Sequence, residues 1–194
     1  MIKSYDIPTI DAVEDTGDFD KFEWLGFNYC KTTKQRADKC VHFYLDDYQF
    51  ERVYNSPYRY GDMLSEFKYV LSPDFSLYTD QPVDVQIFNH YKKHWCAAFW
   101  QEWFEMCVIP TICWGDERSY DFCFEGEPTE SVVSVSSVGV CNNKKTIELF
   151  HKGFMEMKKR LKPTKILFFG KPIEDSPEII HMGEDDRLLR LRRR

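Results

Sequence analysis

The chain is predicted to be an α/β domain: about five mainly parallel strands alternating with helices, forming an open twisted sheet or an incomplete barrel after an irregular N-terminal lead-in. Three observations carry that prediction. Short β-branched or aromatic runs recur along the chain, each closed by a polar or Pro/Gly stop. Segments with apolar residues at steps of three and four lie between them. The crossovers are a dozen or more residues long, which suits parallel strands covered by helices.

The elements follow in order. Residues 1–40 are polar and form a lead-in, within which 22–27, FEWLGF, is an apolar patch docked on the body. The α/β domain spans 41–172, and 173–194 are a C-terminal tail. Residues 41–45, VHFYL, are the first strand. Residues 48–66 read as helical with a break near 55–57, where Pro57 starts a second helix in its first turn. The second strand is 68–71. Residues 82–104 form a long helix, whose Phe88, Tyr91, Trp95, Phe99 and Trp103 share one face and are expected to pack into the core. The third strand, 107–113, contains Pro110, which cannot donate to a ladder and marks an edge or a bulge. A short helix near 117–123 and a fourth strand at 131–138 follow. The helix at 143–161 is capped by Asn142 or Asn143 and carries Lys158, Lys159, Arg160 and Lys162 at its negative end. Pro163 stops it, and 165–169, KILFF, is the fifth strand.

Bulk properties narrow the function. At 194 residues and 23.2 kDa the chain forms a single domain, and 16% aromatic residues exclude a disordered one. No apolar run reaches the ~18–20 residues of a membrane helix. The N-terminus lacks the apolar core of a secretion signal, so a cytoplasmic protein with no membrane role is expected. The seven cysteines show no C-x-x-C and read as ordinary thiols, including Cys30 and Cys40 beside His42. The formal charge is −6. Five arginines lie in the last eight residues, and without them the balance is −11, from 21 basic against 32 acidic residues. Such an acidic body argues against broad wrapping of nucleic acid, and the arginine tail is read as a solvated end that answers the acidic head.

The site expectation comes from strand polarity. In a parallel sheet the C-terminal strand ends share one edge, and ligands bind in the crevice outside it. Asp46 and Asp47 follow the first strand, Asp74 the second and Asp116 the third. Asp46, Asp74 and Asp116 are the candidate metal ligands, although aspartates in such places also cap helices. Ser136, Ser137 and Gly139 form a small-residue turn leading to a helix N-terminus, with Lys144 nearby and Lys171 after the fifth strand; these five are the candidate ligand-binding residues. A divalent cation such as Mg²⁺, bridging carboxylates to phosphate oxygens, would use both halves. There is no P-loop and no dinucleotide fingerprint. His90 and His94 have a chelating spacing but no acidic companion in sequence, and are read as exposed polar residues of the helix.

The blocks VHFYLDDYQFERVYNSPYRY, FKYVLSPDFSLYTDQPVDVQIFNHY, VIPTICWGDERSYDFCFEGEP, SVVSVSSVGV and KILFFGKP resemble an uncharacterised domain family found on phages, prophages and plasmids of Gram-positive bacteria. The resemblance spans about residues 22–172. It implies a cytoplasmic protein carried by a mobile element and assigns no catalytic residue or cofactor. Two functions are expected, one from the strand-end residues and one from the acidic charge together with the mobile-element context. One is a domain that handles a nucleotide or nucleic acid with a cation at the strand ends. The other is a non-enzymatic inhibitor, of the anti-CRISPR kind, that binds a host defence protein.

Overall fold

The computed structural model describes residues 4–138, 140, 144–171 and 173–182. Among these, seven strands alternate with helices: β1 Glu23–Gly26, β2 Lys39–His42, α1 Arg52–Asn55, α2 Pro57–Leu64, β3 Tyr69–Leu71, α3 Val83–Phe104, β4 Val108–Ile109, β5 Val132–Ser136, α4 Lys144–Leu161, β6 Lys165–Phe169 and β7 Ile179–His181. All pairings are parallel, in a four-stranded sheet β1-β2-β3-β4 and a three-stranded sheet β5-β6-β7. A single bridge, Thr111 to Ser134, joins the two, and Ile112 N–H donates to the Ser134 carbonyl at 2.8 Å beside it. Strand order therefore follows chain order across both sheets. Among the described residues no ladder joins β1 to β7, so the arrangement is an open, incomplete barrel.

The five predicted strands are β2 to β6. The other two lie outside the expected body: β1 falls in the lead-in and β7 in the tail. Each is three or four residues long, too short to show a periodic signal. Pro110 explains why β4 stops after two residues: it has no N–H for a ladder, and its carbonyl instead accepts from Ser134 N–H at 2.7 Å.

The strands are buried on both faces, and their alternation sorts the core. Leu25, Val41, Val70 and Val108 face outward from the first sheet under α1, α2 and α3, with Phe43, Trp100 and Ala97. Val133, Val135, Ile166, Phe168 and Ile179 face outward from the second sheet under α4, with Phe150, Phe154 and Met157. The residues between them point inward. Cys40, Leu71 and Ile109 of one sheet meet Val132, Leu167 and Phe169 of the other. Trp24 of β1 reaches Phe169 of β6, ring to ring at 5.9 Å, which shows how far the two sheets curl toward each other. The lead-in closes one mouth of this interior. Val13 and Phe19 are buried in it, and Thr16 and Asp18 bond the Tyr69 hydroxyl at 3.0 and 3.1 Å. Tyr69 begins β3, so the plugged mouth is the N-terminal one.

Helix α3 corrects the sequence reading. Phe88, Trp95 and Trp103 are 50%, 39% and 63% exposed, rather than packed in the core. The buried side is Gln86, Asn89, His90, Lys93, His94, Ala97 and Trp100. Periodicity shows which residues share a face, but not which face turns inward. Phe99 of the same row does pack, half-buried, against the core, and the outward aromatics lean on it: Phe99 stacks on Trp95 and Trp103 at 6.0 and 5.9 Å, and Tyr58 meets Trp103 edge-on at 6.0 Å.

Candidate functional site

The polar groups that α3 carries inward meet the C-terminal strand ends. Tyr44, two residues past β2, reaches across the interior, and its hydroxyl lies 2.7 Å from Ser134 Oγ on β5. Ser134 Oγ donates onward to the Leu167 carbonyl at 3.1 Å, so it accepts from Tyr44. Ser72, just after β3, accepts from Thr111 N–H at 2.8 Å and receives the Thr111 hydroxyl on its carbonyl at 2.9 Å. Beyond Ser72, Pro73 turns the chain and Asp74 stands at the rim.

Asp74 is partly covered as a residue, yet its Oδ1 has no solvent and no hydrogen-bond partner. Burial pushes its carboxyl up from 3.8 to about 7, against the pull of the Lys93 ammonium; the Asp47 carboxylate adds to the rise, and the nearby Cys113 thiol opposes it. The same burial, reinforced by Asp74, holds the Tyr44 phenol well above its usual range. Asp47 is fixed beside this group by Ser76, whose N–H and hydroxyl donate to its two oxygens at 3.1 and 2.8 Å. Asn89 of α3 holds the Ser76 carbonyl at 2.8 Å.

Behind the rim lies a second polar cluster. Lys93 is completely buried; it donates to the Thr111 carbonyl at 2.9 Å and pairs with Glu127. Burial disfavours both charges, but their mutual attraction outweighs it, raising the lysine and lowering the glutamate. Glu127 Oε1 also lies 3.0 Å from His94 Nε2, while Oε2 is buried without a partner. His94 Nδ1 lies 2.7 Å from the Pro8 carbonyl, and His90 Nε2 lies 2.9 Å from that of Glu125. Burial lowers both imidazoles. These histidines are therefore buried, contrary to the sequence expectation, and their acidic companion is Glu127, thirty-three residues away from His94.

The structure distributes the predicted site residues as follows. Asp74 sits in the rim cluster. Asp46 is exposed ahead of a 3-10 turn, Asp47–Gln49, without capping it through its side chain, and its neighbour Asp47 is the one turned toward Asp74. Asp116 caps the 3-10 turn Glu117–Asp121, and its oxygens accept from the Arg118 amide and guanidinium at 2.9–3.1 Å. Those bonds hold its carboxyl below the usual range. Among the described residues, the one trio of His, Cys, Asp or Glu with ligand atoms all within 4.8 Å is His90, His94 and Glu127; Asp46, Asp74 and Asp116 form no such trio.

On the other half of the rim, Ser137 and Lys171 come together because β5 and β6 end side by side: the Ser137 hydroxyl donates to the Lys171 carbonyl at 2.7 Å. Gly170 permits this turn, with φ at +87°, and a Cβ there would meet Ser137 Oγ at 2.8 Å. Ser136 Oγ accepts from Val138 N–H at 3.1 Å. Lys144 opens α4 with its side chain 92% exposed and only a 3.9 Å pairing to Glu148, and Lys171 is exposed. Gly139, the Asn142 or Asn143 cap and the arginine tail lie outside the described residues.

Cys30, Cys40, Cys96, Cys107, Cys113 and Cys123 are free thiols, and burial lifts Cys30 and Cys40 to about 12. A cleft of about 340 Å³ opens at the opposite edge, lined by Asp11, Glu14, Tyr69, Glu105 and Cys107. It gathers acids beside the plugged mouth and no orphaned polar atom, so the chemistry concentrates instead at the strand ends.

The sequence matches the family described as "Domain of unknown function (DUF4417)" over residues 1–182. The chain belongs to that family. It is 43% identical over 132 residues to the Gene 1 protein of Mycobacterium phage L5, covering 68% of this chain and 57% of that protein. It is 39% identical over 131 residues to the Gene 1 protein of Mycobacterium phage D29, covering 68% of this chain and 48% of that one. The chain thus spans about half the length of these relatives. No solved structure matches it. The expected membership of a phage-associated family is borne out, and no helix among the described residues is long and apolar enough to cross a membrane.

Proposed function

We propose that this phage-family domain binds a divalent cation together with a phosphate-bearing ligand, a nucleotide or nucleic acid, at its strand-end rim. The observation that carries the reading is the orphaned, buried Oδ1 of Asp74, set beside Asp47 and facing the Lys93 charge. A buried carboxylate oxygen without a partner is costly, and a hard cation with oxygen ligands completes it. In this reading Asp74 is the central metal ligand, with Asp46, exposed beside Asp47, and Asp116, which would have to exchange its Arg118 partner, as outlying acids. Ser136, Ser137, Gly139, Lys144 and Lys171 supply the phosphate side, and the exposed ammonium groups of Lys144 and Lys171 favour it electrostatically. Proton and cation compete for the same Asp74 carboxyl, so cation affinity should rise with pH through about 7. Calorimetry with Mg²⁺ and ATP, or a short oligonucleotide, tests the reading. The wild type should bind and Asp74→Ala should not, with unchanged circular dichroism. A wild type that binds neither cation nor nucleotide refutes it.

The outward aromatic row of α3 favours a second reading, a protein surface that engages a host defence protein through Phe88, Trp95 and Trp103. On that reading, a stoichiometric defence protein is retained from host lysate by the wild type and lost with Trp95→Ala/Trp103→Ala.

A further inference from the structure

A backbone carbonyl oxygen only accepts hydrogen bonds, so the ring nitrogen facing it must carry the proton. His90 Nε2 faces the Glu125 carbonyl and His94 Nδ1 faces the Pro8 carbonyl. Each neutral ring therefore turns a lone pair the other way. His90 Nδ1 is fully buried with no partner at all. His94 Nε2 points at Glu127 Oε1 from 3.0 Å, two acceptors facing each other. The second oxygen of Glu127, Oε2, is buried and equally without a partner. His90, His94 and Glu127, all three buried, bring ligand atoms within 4.8 Å of one another.

We propose that His90 Nδ1, His94 Nε2 and Glu127 form a binding site for a transition-metal dication of the zinc class. Two imidazoles and a carboxylate match that class and not Mg²⁺, which takes oxygen ligands and keeps its waters. The surroundings fit a built site. Both imidazoles donate their remaining N–H to backbone carbonyls, the arrangement that orients metal-bound histidines. Lys93 engages Glu127 Oε1 and leaves Oε2 as the free donor. Gly126, at φ +78°, allows the approach: a Cβ there would lie 2.6 Å from the Pro8 oxygen and 2.9 Å from His94 Nδ1. The lead-in, α3 and the 125–127 segment would all be tied to one ion, which gives the metal a structural role behind the rim. The competing occupant is a proton shared between His94 and Glu127.

The full chain, stripped with EDTA, is titrated with Zn²⁺ against a chromophoric chelator and separately with Co²⁺. With millimolar Mg²⁺ present throughout to occupy the rim, one equivalent should bind, the melting temperature should rise on loading, and a zinc-selective chelator should reverse the rise. His90→Asn and Glu127→Gln should each weaken binding by more than about tenfold, since even losing an orienting partner costs that much. Exposed His151→Asn should not, and Asp74→Ala should not, which separates this site from the rim. X-ray absorption of the zinc-loaded wild type should show nitrogen and oxygen neighbours, a readout that stands if a variant fails to fold. A folded wild type that takes up neither ion, uptake that survives both ligand substitutions, or a sulfur shell from the cysteines would overturn the proposal. The first of these results would leave the shared proton as the occupant.

Discussion

Replacing Asp74 by asparagine should stabilise the protein, and by more as the pH rises. Burial lifts the carboxyl from 3.8 to about 7 in the folded chain. The sign follows from proton counting. Between those values the folded state holds a proton that the unfolded state has released, so the wild type loses stability as pH climbs through this window. Above the folded value the loss levels off at about 4 kcal/mol, taking 1.36 kcal/mol for each pH unit. Asparagine never ionises and escapes the loss. Relative to any constant offset between the two chains, the variant's advantage should be roughly 2 kcal/mol at about pH 5 and about 4 kcal/mol at about pH 8, so it should grow by about 2–3 kcal/mol. Other titrating groups, such as His90 and His94, are present in both chains and cancel in the difference. The assay is urea denaturation of both proteins at the two pH values, with chelator present so that no cation competes with the proton. A gap that stays constant within about 0.5 kcal/mol would mean that Asp74 is ionised and satisfied at both pH values. The reasoning that makes it an unfinished site residue would then fail.

Lys93→Met should cost about 3–5 kcal/mol, because it strands the buried Glu127 charge. The double variant Lys93→Met/Glu127→Leu should recover much of that in chelator, and a double variant no more stable than the single one would count against a coupled pair. Trp100→Ala and Trp103→Ala test the orientation of α3: the first should cost about 3–5 kcal/mol and the second under about 1 kcal/mol in the same denaturation assay. Equal losses would restore the aromatic row to the core.

Much of the architecture was legible because it rests on local signals. Short β-branched runs, two amphipathic or aromatic helices and long crossovers were enough for parallel strands in an α/β domain, and KILFF became β6 residue for residue. Strand polarity alone directed attention to the edge where Asp74 stands, since parallel strands deliver their C-terminal ends together whatever the sequence between them. What the sequence did not determine depends on which groups meet. Strands β1 and β7 are too short to announce themselves and exist because β2 and β6 offer them ladders. The turn of α3 was invisible because a helix with apolar residues on several sides gives no unique inward face. Once Trp100 and Ala97 pack on the sheet, His90, Lys93 and His94 are carried inward with them and Trp103 is left outside. The choice of Asp47 over Asp46 as the neighbour of Asp74 turns on one residue of backbone direction at a 3-10 turn. Glu127 becomes the companion of His94 only through a loop thirty-three residues downstream. Local chemistry therefore determined the elements and the edge. The charges that had to leave water, and the partners they found there, were decided by tertiary packing, because desolvation is a property of the assembled interior and not of any stretch of chain.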